Sequence, residues 1–134
     1  MIMSQDSQTQ SPVSQIGDIL DDGLILTNLD GVIRSANPAA VRWFGENLTG
    51  QMIFDVINHP NIGDLFAKAA DGAKRCEMRY EPTNIIQREF RMRLQRIGDQ
   101  SVALLFLDMT LQRNLEKVRR DFVANVSHEL RSPL

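Results

Sequence analysis

Cysteine is almost missing from this chain. Cys76 stands alone, which excludes an intramolecular disulfide and fits a reducing, cytoplasmic compartment. A basic excess is missing as well. The chain has 15 Lys and Arg against 17 Asp and Glu, a formal net charge of −2, so no field draws it onto nucleic acid. No apolar run reaches the ~18 residues of a spanning helix. The N-terminal stretch MIMSQDSQTQSPVSQ has neither the basic nor the apolar region of a signal peptide. Membrane attachment is therefore expected only if a segment lies upstream. No Cys/His cluster has metal-ligand spacing, and no Gly-rich or acidic constellation could position ATP and its metal. Apolar residues make up 43% and charged residues 24% of 134 positions, enough for one globular domain with some tail.

The Ser- and Gln-rich stretch 1–15 reads as a disordered lead-in. Residues 16–22 predict one helical turn or a short helix. Leu24, Ile25 and Leu26, the tight-turn pair Asp30-Gly31, and Val32-Ile33 predict a hairpin. Asn37 is the expected N-cap of a helix with Pro38 at its first position, and Gly45 is its expected end. Pro60 breaks the next stretch into short helices, one of them over Asn61–Ala70, where Ile62, Leu65, Phe66 and Ala69 have helical spacing.

From Lys74 the period changes to two. Cys76, Met78 and Tyr80 alternate with charged residues, and so do Ile86, Phe90, Met92 and Leu94, across a turn at Pro82-Thr83-Asn84. SVALLFLDM is apolar almost throughout, which predicts a strand buried on both faces. Two strands, small helices and three strands predict an α+β fold, a five-stranded antiparallel sheet with helices on one face.

After Thr110 the period is helical again. Leu111, Leu115, Val118 and Phe122 form a coiled-coil seam, continued by Val126 and Leu130. The last two spacings are both four, a stutter that locally unwinds a supercoil. Phe122 stands where the two spacings meet, so its side chain has to suit both packings. A short amphipathic helix buries such a seam by pairing with a second copy, so a parallel homodimer is expected. With about 100° per residue, His128 falls about 140° from the centre of the stripe, on the face turned away from the seam.

Other candidates read more plainly. His59, before Pro60, is expected to be a surface or capping histidine rather than a haem ligand. Cys76 sits in strand alternation as a small core residue. Arg88, Arg91, Arg93 and Arg96 form a basic strip, expected to be a solvated sheet face paired with nearby acids. Thr110 is the expected N-cap of the last helix.

The order of elements resembles a PAS domain over residues 16–110. The residues that carry the resemblance are GLILTNLDGVIRSANPAAVRWFG and the later Asp108-Met109-Thr110. The terminal RRDFVANVSHELRSPL, residues 119–134, resembles the phosphoacceptor box of sensor histidine kinases. Residues 111–134 would then be a linker helix and the truncated start of the dimerisation and histidine-phosphotransfer domain. The combined order is similar to phosphate-sensing kinases of the PhoR type, and INHPNIGDLFAKA adds to that similarity.

The resemblance implies roles. His128 would be the phosphoacceptor that attacks the γ-phosphate of ATP, and Glu129 the acid that orients its imidazole. Ser132 stands where the family usually has Thr or Asn to hold a water for the phosphatase reaction; the hydroxyl is kept and the methyl lost. Asp108 and Thr110 would be the junction that passes signal from sheet to helix. The complete protein would use ATP and Mg, held by a domain that this sequence lacks, and would pass the phosphoryl group to a response regulator. The fragment itself is expected to hold no cofactor and to be inactive alone. The rival expectation is a small-ligand-binding PAS module whose helix only dimerises.

Overall fold

The turn of the first hairpin shows how the chain sets its own geometry. In the computed structural model, which describes residues 12–83 and 88–131, strands Gly23–Asn28 (β1) and Ile33–Ala36 (β2) pair antiparallel. Asn28 Oδ1 accepts the N–H groups of Asp30 and Val32, each at 2.9 Å, so an Asx turn supports the expected Asp30-Gly31 pair. Gly31 has φ +96°, and a Cβ there would lie 2.7 Å from Phe54 Cε2. Both the backbone and the available space therefore require glycine. Val32 bridges to Met52, and β2 proper begins at Ile33.

Helix Pro38–Phe44 (α2) starts on Asn37 and ends on Gly45, as expected from the sequence. Two helices follow, Ile53–Val56 (α3) and Ile62–Ala70 (α4), with Pro60 between them. Three strands come next: Cys76–Tyr80 (β3), Phe90–Ile97 (β4) and Ser101–Asp108 (β5). Every pair is antiparallel, in the order β2-β1-β5-β4-β3. Helix Thr110–Arg131 (α5) leaves directly from β5. The fold is α+β, with a five-stranded antiparallel sheet, short helices and a C-terminal helix. No helix among the described residues is long and apolar enough to cross a membrane.

Two expectations need correction. The lead-in was expected to run to residue 15, but a helix, Pro12–Gly17 (α1), already occupies its last positions. Tertiary contact fixes this segment: Gly17 is buried, and a Cβ on it would lie 2.8 Å from Leu24 Cδ2. Residues 1–11 lie outside the described residues. Strand β5 was expected to be buried on both faces. Instead Val102, Leu104 and Phe106 are buried, while Ala103, Leu105 and Leu107 are half-exposed. The sheet keeps its helices on the core side, and the opposite face is only partly covered. The expected position of Ile86 in the alternation lies outside the described residues.

The core is made from the alternating residues of the last two strands. Phe90, Met92, Leu94, Val102, Leu104 and Phe106 join Ile25, Ile33, Ile53 and Phe66 in one cluster. Aromatic rings close its end beneath α2. Trp43 lies 4.8 Å from Phe90 and Phe44 lies 4.9 Å from Phe106, centroid to centroid. These tilted pairs stabilise beyond the area they bury.

Asn37 ties this core to the N-terminal segment. Its Oδ1 accepts the N–H groups of Leu24 at 2.8 Å and Ala40 at 3.0 Å. Its Nδ2 donates to the carbonyls of Gly17 at 2.7 Å and Asp22 at 2.8 Å. The side chain thus holds β1, α2 and the end of α1 together from a buried position. Asn37→Ala should lower stability by about 2–3 kcal/mol, because it removes a helix cap and leaves buried backbone groups unpaired. Urea unfolding followed by Trp43 emission measures this, and a loss below about 1 kcal/mol, the typical worth of a helix cap alone, would show that water replaces the lost bonds.

Candidate functional site

The junction between β5 and α5 is closed by side chains two strands apart. Asp108 Oδ1 accepts the Thr110 N–H at 3.0 Å, which places a carboxylate at the positive end of the helix. The other Asp108 oxygen pairs with Arg88. Thr110 was expected to cap α5. Its hydroxyl instead accepts the N–H of Glu89 at 3.1 Å, because the register that sets Phe90 opposite Asp108 brings the start of β4 against the helix. Asp108 takes the capping role.

Glu89 was not singled out in the sequence, yet it makes most of the bonds at this junction. Its carbonyl accepts the Met109 N–H at 2.8 Å. Its carboxylate receives Arg79 Nη2 from β3 at 2.7 Å and lies 3.5 Å from Arg113 Nη1 on the first turn of α5. Arg79 also reaches Glu81 at 3.1 Å. The only sequence signal would have been its position immediately before the buried alternation that starts at Phe90.

Both carboxyls are shifted. Burial pushes Asp108 up, but its hydrogen bonds to Thr110 and its pairing with Arg88 outweigh this and hold it below the usual carboxylate range. Burial likewise pushes Glu89 up. Hydrogen bonding to Arg79 and Glu81, with the charges of Arg113 and Arg79, pulls it down, and the balance lies below the ordinary value.

In the rest of the basic strip only Arg93 has the expected acid partner among the described residues. Arg93 meets Glu77 at 2.9 Å. Arg96 donates to the carbonyls of Ala70, Gly98 and Asp99, which stabilises the end of α4. Arg91 is exposed and has no ion pair among the described residues. His59 accepts the Asn61 N–H on Nδ1 at 3.0 Å, just before α4, as a capping histidine does. Cys76 is buried. No group of three or more His, Cys, Asp or Glu among the described residues could hold a metal ion.

Helix α5 carries the remaining candidates. It runs unbroken through His128 and Glu129 to Arg131, and both of the former are exposed. The two are neighbours in sequence but make no hydrogen bond to each other in the structure; adjacent helical residues do not face each other. Ser132 lies outside the described residues. The seam faces solvent in the single chain: Leu111, Leu115, Val118, Phe122, Val126 and Leu130 are all exposed, Phe122 at 66%. Within a helix of mean polar character, such a stripe is an unpartnered face.

The depressed carboxyls set the sign of the acid response. The native state keeps Asp108 and Glu89 ionised more strongly than the unfolded chain does. Their contribution is present above the ordinary carboxylate pKa of about 4 and is lost as pH falls through the lowered native values. The urea midpoint should hold from pH 8 to about 5 so far as these groups decide it, then fall below about pH 4. Asp108→Asn keeps an acceptor for the Thr110 N–H but removes the charge, so it should flatten part of that fall. An acid limb identical in both proteins would exclude the Arg88 pair as its source.

No family model matches the chain. In sequence it is 33% identical to the phosphate regulon sensor protein PhoR of Pseudomonas aeruginosa over 118 residues, 86% of this chain and 26% of that protein. It is 34% identical to the sensor protein kinase WalK of Staphylococcus epidermidis over 120 residues, 86% of this chain and 20% of that one. The chain thus spans about a quarter or less of the length of the curated relatives it matches. In structure it is similar to a domain of a sensory box sensor histidine kinase/response regulator from Geobacter sulfurreducens. The TM-score is 0.57 at 14% identity, covering 81% of this chain and 97% of that one. It is also similar to the PAS domain of Bordetella pertussis BvgS, with TM-score 0.55 at 14% identity over 88% and 98% of the two chains. The chain therefore has the PAS fold with an exit helix and is similar in sequence to a segment of the sensor histidine kinases.

Proposed function

We propose that this chain is the sensory and dimerisation portion of a two-component histidine kinase. In this reading the PAS domain passes a signal through the Asp108–Thr110 junction along α5 to His128. In the complete protein, ATP with Mg phosphorylates His128, and a response regulator aspartate receives the phosphoryl group. A homodimer on the α5 seam holds two copies in register, on the cytoplasmic side.

The observation that carries this reading is the geometry of α5. One unbroken helix starts in the clasp at the sheet and reaches His128. Its exposed apolar stripe lies on the face away from that imidazole. A neutral imidazole exposed to solvent is a competent nucleophile near pH 7, and it has to meet two different partners in turn. Glu129 is the proposed orienting acid, reaching the imidazole through its rotamers rather than by a preset contact. Ser132 is the proposed water-positioning residue of the phosphatase reaction. A core occupied by Phe90, Met92, Leu94, Leu104 and Phe106 supports a sensor that works without a bound cofactor.

Supplying the catalytic portion of a sensor kinase in trans, with labelled ATP and Mg, tests the assignment. The chain should take up phosphate, the His128→Gln variant should take up none, and the chain without the added portion should stay unlabelled. Label retained in the His128→Gln protein would overturn it.

The seam makes its own prediction. Phe122→Ala removes a large aromatic that pairing would bury, a loss on the order of 3 kcal/mol. Both copies lose the ring, so the dimer dissociation constant should rise roughly a hundredfold or more, while Trp43-monitored unfolding of the PAS domain stays unchanged. Sedimentation of both proteins at matched concentration reads this. An unchanged constant would place the dimer contact elsewhere in the molecule.

A further inference from the structure

Four side chains at the junction form a line of alternating charge, Glu81, Arg79, Glu89 and Arg113. The two inner members each have a choice of partner. Arg79 reaches Glu89 at 2.7 Å and Glu81 at 3.1 Å. Glu89 is held by Arg79 at 2.7 Å and approached by Arg113 at 3.5 Å. The side chains differ sharply in exposure. Glu89 is 13% exposed, whereas Arg79 is 59%, Glu81 63% and Arg113 51% exposed. A carboxylate this far from water needs a guanidinium beside it. The exposed groups can leave a partner for solvent or for another acid at little cost. Glu89 is therefore obliged to pair, but either arginine will serve.

We propose that Glu89 is a positioning residue for α5, exchanging its carboxylate between Arg79 of β3 and Arg113 of the helix. In the arrangement seen here the carboxylate is committed to β3, and Arg113 stands just outside hydrogen-bond distance. In the other arrangement Arg79 turns to Glu81, and Glu89 closes on Arg113, drawing the first turn of α5 toward the start of β4. The bonds from the Met109 N–H to the Glu89 carbonyl and from the Glu89 N–H to the Thr110 hydroxyl act as the pivot, since they join the same two segments in both states. β3 is an edge strand of the sheet, so a change at that edge that moves Arg79 reaches the helix without crossing the core. Both guanidinium groups approach the same oxygen, Glu89 Oε1, so a close bond to one competes with a close bond to the other.

This inference rests on the proposed function only for its use in signalling; the exchange is a property of the chain and is measured without phosphoryl transfer. Nitrogen-15 NMR of the guanidinium groups follows it in the chain itself. Arg79→Gln leaves Arg113 as the only guanidinium for Glu89, and the Arg113 Nη protons should then exchange with water several-fold more slowly than in the parent. Glu81→Gln commits Arg79 to Glu89, and the same protons should exchange faster. Both changed side chains are mostly exposed, so the fold survives them even if Glu89→Gln does not. A merely structural ion pair would lose order with either substitution; only an exchange moves the Arg113 signal in opposite directions. Arg113 exchange that is unchanged in both variants, or that shifts the same way in both, would overturn the proposal.

Discussion

The amide of Asn37 is the constraint on which the arrangement of this domain rests. Its four side-chain hydrogen bonds join three segments, beside a backbone bond from the Asn37 N–H to the Leu24 carbonyl. Apolar packing is non-directional and would tolerate a slide of α2 along β1. A buried amide with two donors and a two-lone-pair acceptor does not, because each N–H and carbonyl it serves would be left bare. With that joint fixed, Trp43 and Phe44 are held over Phe90 and Phe106, and the end of the sheet nearest the junction is stiff.

The junction works on the opposite physical footing. Its partners are charged, long and mostly at the surface, and their pairings are individually weak. What persists is the pair of bonds by which the Glu89 carbonyl and N–H hold the Met109 N–H and the Thr110 hydroxyl. The domain thus joins a rigid aromatic end to an adaptable ionic one within two residues, since Phe90 belongs to the first and Glu89 to the second. The less tightly held part of a structure is the part most easily shifted, and here the boundary between the two falls at the start of β4.

Local patterns in the sequence foretold a good deal of this. The Asp30-Gly31 hairpin, the Asn37 cap with Pro38, and the switch to a period of two at Lys74 each depend on residues close in the chain. They emerged as expected, and the PAS-like order of elements followed from them. The features that escaped are those decided by register or by distant contact. Whether β5 is covered on one face or two depends on which elements pack against the sheet, and an apolar run says nothing of that. Asp108 and Thr110 were legible as a pair, but which one caps the helix turned on Glu89, 21 residues before Thr110, and no local rule points that far. The fixed place of α1 likewise comes from Gly17 meeting Leu24 and Asn37. His128 was singled out by a matching box and a helical face; the helix runs through it and leaves its side chain exposed.

The length of α5 has a mechanical consequence. At about 1.5 Å per residue, the rise from Thr110 to His128 is about 27 Å. A rigid rod of that length hinged at its base converts angle into travel. A tilt of roughly 10° at the clasp displaces the far imidazole by roughly 5 Å, given the same rise per residue. Reacting atoms have to come within about 3–3.5 Å to be productive, so a displacement of that size separates contact from no contact. Under the proposed exchange, closing the 3.5 Å approach of Arg113 to Glu89 at the base would be amplified along the helix into a change of position larger than a water molecule.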